Sequence, residues 1–224
     1  MCIRDRSTGE DITAICAVPD MESEDCMCMV TKSGILKKTA VTEFANAKKG
    51  GIIAINLKKE DELVEVKLAG KEGDVMIASR RGLLLRTKLS TMRAMGRNSA
   101  GIIGMRLATG DEIVGMDLVK KDASLFVVTS KGFGKRMEYK NFATKGRGGK
   151  GMAYLKVMDK NGQAAGVRSV FGDDEIIIAS KSGMMIRLTA DEVSMQGRAT
   201  VGVRLLNVED NDEVSDFAVL TDHS

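Results

Sequence analysis

Lysine and arginine side chains recur at fixed intervals along this chain, and cations in register are the groups that bind the phosphates of a nucleic acid. One set follows, by four residues, a glycine that itself lies three residues after a Ser or Thr. Its members are Lys38, Arg86, Arg136 and Arg187. A second set precedes another repeated glycine by four residues, slightly displaced in the first unit. Its members are Lys48, Lys49, Arg97, Arg147 and Arg198.

The turns at the first glycines carry further basic residues, namely Lys32, Arg80, Arg81, Lys131 and Lys181. A single Lys or Arg at a strand end ordinarily serves only to block edge pairing. Repetition at equivalent positions favours a shared binding surface instead. Acidic residues gather elsewhere, around 60–62, 111–112 and 209–213, so we expect basic and acidic surfaces to be separated.

The densest basic segment is 145–151, where Lys145, Arg147 and Lys150 share seven positions with four glycines. Glycine lets backbone N–H groups approach phosphate oxygens closely. The segment lacks the GxxxxGK[ST] spacing of a nucleotide-binding P-loop. It therefore indicates contact with a polyanion and not a mononucleotide site.

Residues for acid–base or metal chemistry are scarce. The one histidine is His223, which nearly excludes His-based triads and His-metal sites. The four cysteines lie within the first 28 residues, and Cys26 and Cys28 have one intervening residue where metal sites usually have two. We predict reduced thiols, no metal site, no cofactor and no catalytic residue.

Composition describes a globular protein: 43% of the 224 residues are hydrophobic, 29% are charged, and the net charge is +3. No apolar run approaches the ~20 residues that cross a bilayer, and no signal-peptide pattern opens the chain. We expect a cytoplasmic protein without a membrane partner. Residues 1–8 show no repeat character and are expected to be a non-native leader.

Two independent glycine series establish an internal repeat. The first has spacings of 48, 50 and 51 residues, and the second, at 51, 101, 151 and 202, has spacings of 50, 50 and 51. A fixed period of this length indicates stacked structural units. We predict one domain over 9–221, with units at about 22–70, 71–121, 122–172 and 173–221 and an orphan closing strand at 11–18.

Each unit contains short apolar runs that end in glycine turns, which is typical of strands and not of helices. Four strands per unit of about 50 residues make a blade, and blades bury their faces only by packing around an axis. We therefore predict an all-β, propeller-like pinwheel of about four complete blades.

The repeat anchors, together with segments 41–44, 48–55, 92–97 and 114–118, resemble the C-terminal β-pinwheel domains of the A subunits of bacterial type II topoisomerases. The resemblance covers about residues 11–220. It implies wrapping of double-stranded DNA and association with the nucleoid. In the whole enzyme it implies two partners, an ATP-hydrolysing B subunit and a second A subunit. Neither Tyr139 nor Tyr154 resembles the strand-cleaving tyrosine, so no catalytic role is carried over.

The family's hallmark box reads Gln-Arg-Arg-Gly-Gly-Lys-Gly and lies in the first blade. Its last five positions are matched here by Arg147, Gly148, Gly149, Lys150 and Gly151, in a later unit. Lys145 and Gly146 stand where the box has Gln and Arg. We interpret this segment as a box-like loop and expect the true box upstream.

Three functions remain open from the sequence. The first is sequence-independent DNA wrapping as the non-catalytic C-terminal domain of a DNA gyrase A subunit, in support of negative supercoiling by the whole enzyme. The second is the same role in topoisomerase IV, and the third is a propeller-like protein-interaction module. An enzyme with a site at the blade axis has no residue constellation to support it.

Overall fold

The computed structural model describes residues 11–47 and 51–221, and their regular structure is all β. The strands are β1 Cys26–Thr31, β2 Ile35–Ala40, β3 Leu63–Ala69, β4 Asp74–Ser79, β5 Leu83–Lys88, β6 Ile102–Ile103, β7 Ile113–Leu118, β8 Ser124–Thr129, β9 Phe133–Met137, β10 Met152–Ala153, β11 Ala164–Val170, β12 Glu175–Ser180, β13 Met185–Thr189, β14 Val203–Arg204 and β15 Val214–Leu220. Single 3-10 turns follow β2, β5, β9 and β13. In this part of the chain, no helix is long and apolar enough to span a membrane.

Each unit begins with a tight hairpin whose glycine must adopt a left-handed conformation. Gly82 between β4 and β5 has φ +86°, and a Cβ atom there would lie 2.4 Å from the carbonyl oxygen of Leu155. The preceding Ser79 hydroxyl accepts a hydrogen bond of 3.2 Å from the amide of Leu83. The repeated Ser/Thr-x-x-Gly pattern is thus the sequence of this hairpin turn.

The hairpins assemble into four blades, which confirms the predicted propeller-like fold. Three sheets have four strands, in the orders β3-β1-β2-β6, β7-β4-β5-β10 and β11-β8-β9-β14. The fourth sheet has three strands among the described residues, in the order β15-β12-β13. The outermost strand of each four-stranded sheet comes from the next unit along the chain. Each such unit therefore contributes one strand, here called the exchanged strand, to the blade before it.

Apolar layers between the blades form the core. Cys28, Val30 and Leu36 of the first blade pack with Ile77 and Met105. Tyr154 is fully buried in the next layer, where its hydroxyl donates a 3.1 Å hydrogen bond to the carbonyl of Ser79. The flexible methionines fill the irregular gaps between blades.

The four closing strands β3, β7, β11 and β15 lie side by side at the inner end of the blades. Ion pairs connect them there, including Arg168 with Glu65 at 2.6 Å. The expected orphan strand at 11–18 is not formed: these residues make no strand pairing, and Ile12 and Ile15 are largely exposed. A closing strand pairs with the first hairpin strand of its own unit, and no such hairpin precedes this segment among the described residues. The expected leader at 1–8 lies outside the described residues.

Candidate nucleic-acid interface

The loops that precede the exchanged strands attach each unit to the blade before it. The amides of Met95, Lys145 and Gln196 each donate a 2.8 Å hydrogen bond to a carbonyl at equivalent positions of β2, β5 and β9. The glycine that opens each exchanged strand has a positive φ. At Gly151 a Cβ atom would lie 2.8 Å from the carbonyl oxygen of Leu84. These contacts place the three loops in register at the outer ends of the blades.

We call the three segments 92–106, 142–156 and 193–207 the basic rim. They contain nine Lys or Arg residues and no Asp or Glu. Backbone hydrogen bonds join consecutive segments, from Arg106 to the carbonyl of Gly149 at 2.9 Å and from Lys156 to that of Thr200 at 3.0 Å. The rim is therefore one continuous strip that crosses several blades and has no acidic residue of its own; the Asp74 carboxylate accepts a 3.0 Å hydrogen bond from Thr144 at its edge. Its cations are Arg93, Arg97, Arg106, Lys145, Arg147, Lys150, Lys156, Arg198 and Arg204.

Most of these cations are exposed to solvent, and none of the nine forms an ion pair with a described carboxylate. Arg97 and Arg198 are partly buried. Arg97 donates to the carbonyl of Ile53 at 3.2 Å, and Arg198 contacts the sulfur of Met152 at 3.6 Å. Unneutralised cations on one strip attract a polyanion over a long range.

The box-like loop lies in the middle of the rim and is held close to the blade by its glycines. Gly148 has φ +76° and donates a 2.6 Å hydrogen bond to the carbonyl of Gly104. Gly149 forms a parallel bridge with Met105. The backbone thus stays against the blade, while Arg147 and Lys150 are exposed.

The turn cations flank the hairpin glycines, whose carbonyls accept hydrogen bonds from the ends of the rim segments at Gly104, Tyr154 and Leu205. They lie beside the acidic start of each closing strand. Arg80 pairs with Glu112 at 2.7 Å, and Lys32 contacts both Glu62 and Glu112. Lys181 pairs with Glu213. For these turns the expected separation of basic and acidic surfaces is wrong, because backbone bonds such as that from Lys32 to the carbonyl of Glu62 join the two elements.

Two other turn cations are bound to backbone. Lys131 donates to the carbonyl of Asp159 at 2.7 Å, and Arg81 donates to that of Thr109 at 3.2 Å. Carboxylates also stabilise the hairpin turns. At the turn that carries Lys181, hydrogen bonds from Ser180 and Ser182 lower the pKa of Asp212 to about 2. The turn cations are therefore part of a mixed-charge surface that borders the basic rim and differs from it in carrying paired carboxylates.

The mid-strand cations are largely inside the fold. Arg136 is 8% exposed and donates from Nε to the carbonyl of Val193 at 3.0 Å. Arg86 binds Asp74 at 2.6 Å and the carbonyl of Tyr139 at 3.0 Å. Buried Lys38 donates to the carbonyl of Leu89 at 3.1 Å. Each of these side chains binds a backbone carbonyl of the following unit. Because they are engaged inside the fold, they are not part of the candidate interface.

Arg187 is the exception among the mid-strand cations, since it is exposed and binds both carboxylate oxygens of Glu175. Of the predicted rim residues, Arg97, Lys145, Arg147, Lys150 and Arg198 are brought together on one strip. Lys48 and Lys49 lie outside the described residues.

Four rim cations are not predicted from the sequence: Arg93, Arg106, Lys156 and Arg204. They do not recur at every equivalent position, so a search for periodic cations misses them. The signal that could have found them is the absence of Asp and Glu from three 15-residue stretches in register.

Comparison with known proteins identifies the family to which this architecture belongs. The family described as "DNA gyrase C-terminal domain, beta-propeller" matches residues 27–69, 73–120, 123–170 and 174–221. The chain belongs to this gyrase C-terminal domain family. Among its relatives, the DNA gyrase A subunit of Leptospira biflexa is 56% identical over 88% of this chain, and that of Streptococcus pneumoniae serotype 4 is 50% identical over 94%.

Two solved structures are similar across nearly the whole chain. A DNA gyrase A C-terminal domain aligns with a TM-score of 0.88 at 28% identity, covering 97% of this chain and 73% of that one. The C-terminal domain of a DNA topoisomerase IV aligns with a TM-score of 0.85 at 25% identity, covering 91% and 64%. The chain spans about a quarter of the length of the gyrase A relatives, 23% and 26% in the two cases above.

Proposed function

We propose that this domain binds double-stranded DNA along the basic rim, without preference for base sequence. The observation that carries the proposal is the continuity of the rim: three acid-free segments joined by backbone hydrogen bonds present nine cations on one strip. Phosphate binding by Lys and Arg releases counterions and needs no base contacts. Such a surface suits the backbone of a duplex.

We propose further that the duplex bends to follow the rim from blade to blade. A bent path costs deformation energy that additional phosphate contacts offset. In the whole gyrase this wrapping would support negative supercoiling at the nucleoid, with cleavage on other domains and ATP hydrolysis on a B subunit. A second A subunit would complete the assembly. The domain itself would act without a cofactor and without catalysis.

The binding claim is tested by charge reversal at matched surfaces. The pair Arg97→Glu and Arg147→Glu changes the rim, and the pair Lys131→Glu and Lys181→Glu makes the same change in net charge on the turns. Each lost phosphate contact lowers the slope of log affinity against log salt by about 0.9. We expect the rim pair to lower the slope by about 1.8 and the affinity at ~0.15 M salt at least about 30-fold.

The assay is a salt-titrated gel shift with a ~150 base-pair duplex, about one persistence length. AT-rich and GC-rich duplexes should lose affinity equally in the rim variant, and the turn variant should retain most of its affinity. If both variants lost the same affinity, net charge alone would explain the effect, and a binding site on the rim would be refuted. An absence of binding by the unaltered chain would favour the protein-interaction module.

Wrapping is tested separately, by relaxing a plasmid with a type I topoisomerase in the presence of the domain. A change in linking number that disappears in the rim variant is expected. Binding without a change in linking number would contradict bending around the rim. The topoisomerase IV alternative draws on the similar TM-score of that domain, and supercoiling by the assembled enzyme distinguishes it from gyrase.

A further inference from the structure

Two lysines of the described chain are fully buried at equivalent places in two blades. Lys37 lies in β2 and Lys135 in β9, each three residues after the glycine of its hairpin turn. A buried ammonium is costly unless acceptors surround it. Both acceptor sets come largely from the rim loop of the following unit.

The ammonium of Lys135 is enclosed by the loop that carries Arg198. Its Nζ donates to the carbonyl oxygens of Gly197 at 2.9 Å and Arg198 at 2.8 Å, and contacts Thr200 at its hydroxyl, 2.9 Å, and its carbonyl, 3.2 Å. An ammonium has three N–H donors, and these acceptors use all of them. Burial lowers the pKa of Lys135 to about 8, so the side chain remains charged at pH 7.

Lys37 makes the same arrangement in the first blade, two blades before that of Lys135. Its Nζ donates to the carbonyl oxygens of Arg97, of Ser99 at 3.0 Å and of Ala54 at 2.7 Å. Both lysines thus bind the carbonyl of the very residue whose guanidinium belongs to the rim. In each loop a side-chain hydroxyl also donates a hydrogen bond to the carbonyl of the glycine three residues earlier. Ser99 donates to Gly96, and Thr200 donates to Gly197.

The second blade has no lysine at this position, and its rim loop is held by other contacts. The equivalent residue is buried Leu85, and the facing loop is the box-like loop, where a Cβ on Gly149 would lie 3.4 Å from the Leu85 side chain. That loop replaces the ammonium contacts with the close backbone bond from Gly148 to Gly104. The lysine therefore accompanies the Arg-x-Ser/Thr loops and not the glycine loop.

We infer that Lys37 and Lys135 are positioning residues for phosphate binding, which hold the loops of Arg97 and Arg198 in the geometry that a duplex contacts. The inference rests on the proposed function. Each ammonium binds carbonyls of one rim loop at a single point, three of them for Lys135 and two for Lys37, and this removes loop freedom that would otherwise be lost on binding. The lysines do not contact the DNA themselves, because they are fully buried.

A double-variant cycle on the whole chain tests the inference. Lys135→Met, Arg198→Ala and their combination are compared for affinity to a ~150 base-pair duplex across a salt titration. Loss of one phosphate contact corresponds to about a five-fold loss near 0.15 M salt. We expect each single variant to show about this loss and a slope lower by ~0.9, with the combination no weaker than either alone. Leu85→Met is the control at the equivalent apolar position and should bind normally.

The outcomes separate the two claims. Normal affinity in Arg198→Ala would show that Arg198 does not contact phosphate. That result would contradict this part of the proposed function and also the inference, which depends on it. A weakened Arg198→Ala beside a normal Lys135→Met, or two losses that multiply in the combination, would overturn the inference alone. Since loss of a buried lysine can unfold a blade, thermal melting accompanies each measurement, and the same cycle on Lys37 and Arg97 repeats the test at an independent site.

Discussion

Substitution of Arg136 by methionine should destabilise the fold without weakening DNA binding. Arg136 is 8% exposed, and its guanidinium binds the carbonyl of Val193 at 3.0 Å and pairs with Asp191 at 2.8 Å. Loss of a charge-assisted hydrogen bond to a buried carbonyl costs about 1.5–3 kcal/mol. The Asp191 side chain is 72% exposed, so its pairing adds less than about 1 kcal/mol.

The expected total of about 2–3 kcal/mol corresponds to a drop in melting temperature of roughly 5–10 °C for a domain of this size. Circular dichroism melting measures it, and duplex affinity is measured well below the transition. Arg187→Met is the matched control, because Arg187 has the same repeat position but is exposed and should lose much less. A lower affinity in folded Arg136→Met, or equal destabilisation of the control, would refute the assignment of the mid-strand cations to structure.

The remaining predictions concern the hairpin turns. Gly82→Ala should lower the free energy of unfolding by more than ~1 kcal/mol, since it combines a positive φ with a Cβ 2.4 Å from the carbonyl oxygen of Leu155. Gly183→Ala, with φ +90° and no atom within 4 Å, should lose less, and equal losses in denaturant titrations would contradict the steric argument. Asp212→Asn should weaken the turn at 180–182 at neutral pH. The depressed pKa means that the carboxylate stabilises the fold above about pH 4 and loses this effect as pH falls through 2, so the difference from the unaltered chain should disappear near pH 1. A difference in turn amide exchange that stays constant between about pH 4 and pH 1 would count against it.

The repeat made the blades predictable, because turn glycines and short apolar runs are local signals. The exchange of strands was not predictable in this way. The exchanged strands, such as Ile102–Ile103, contain only two residues each, and their partner is decided by packing between units. Residues 11–18 show the converse, since they carry the pattern of a closing strand without a described hairpin of their own to pair with.

The candidate site was predictable only in part. The period grouped Arg97, Arg147 and Arg198, which lie in equivalent loops because these loops share one glycine anchor. It could not show that Arg136 turns into the fold, since periodicity fixes a position in the unit and not the side of the strand that is covered. Lys37 and Lys135 were missed because the equivalent residues in the other two blades are apolar.

DNA binding by the rim can be measured without any substitution, by lysine acetylation and mass spectrometry with and without a ~150 base-pair duplex. The footprint compares two exposed surfaces within one molecule. We predict that DNA protects Lys145, Lys150 and Lys156 of the rim and leaves Lys131 and Lys181 of the turns unchanged. Protection of the turn lysines with continued labelling of the rim would contradict a rim site.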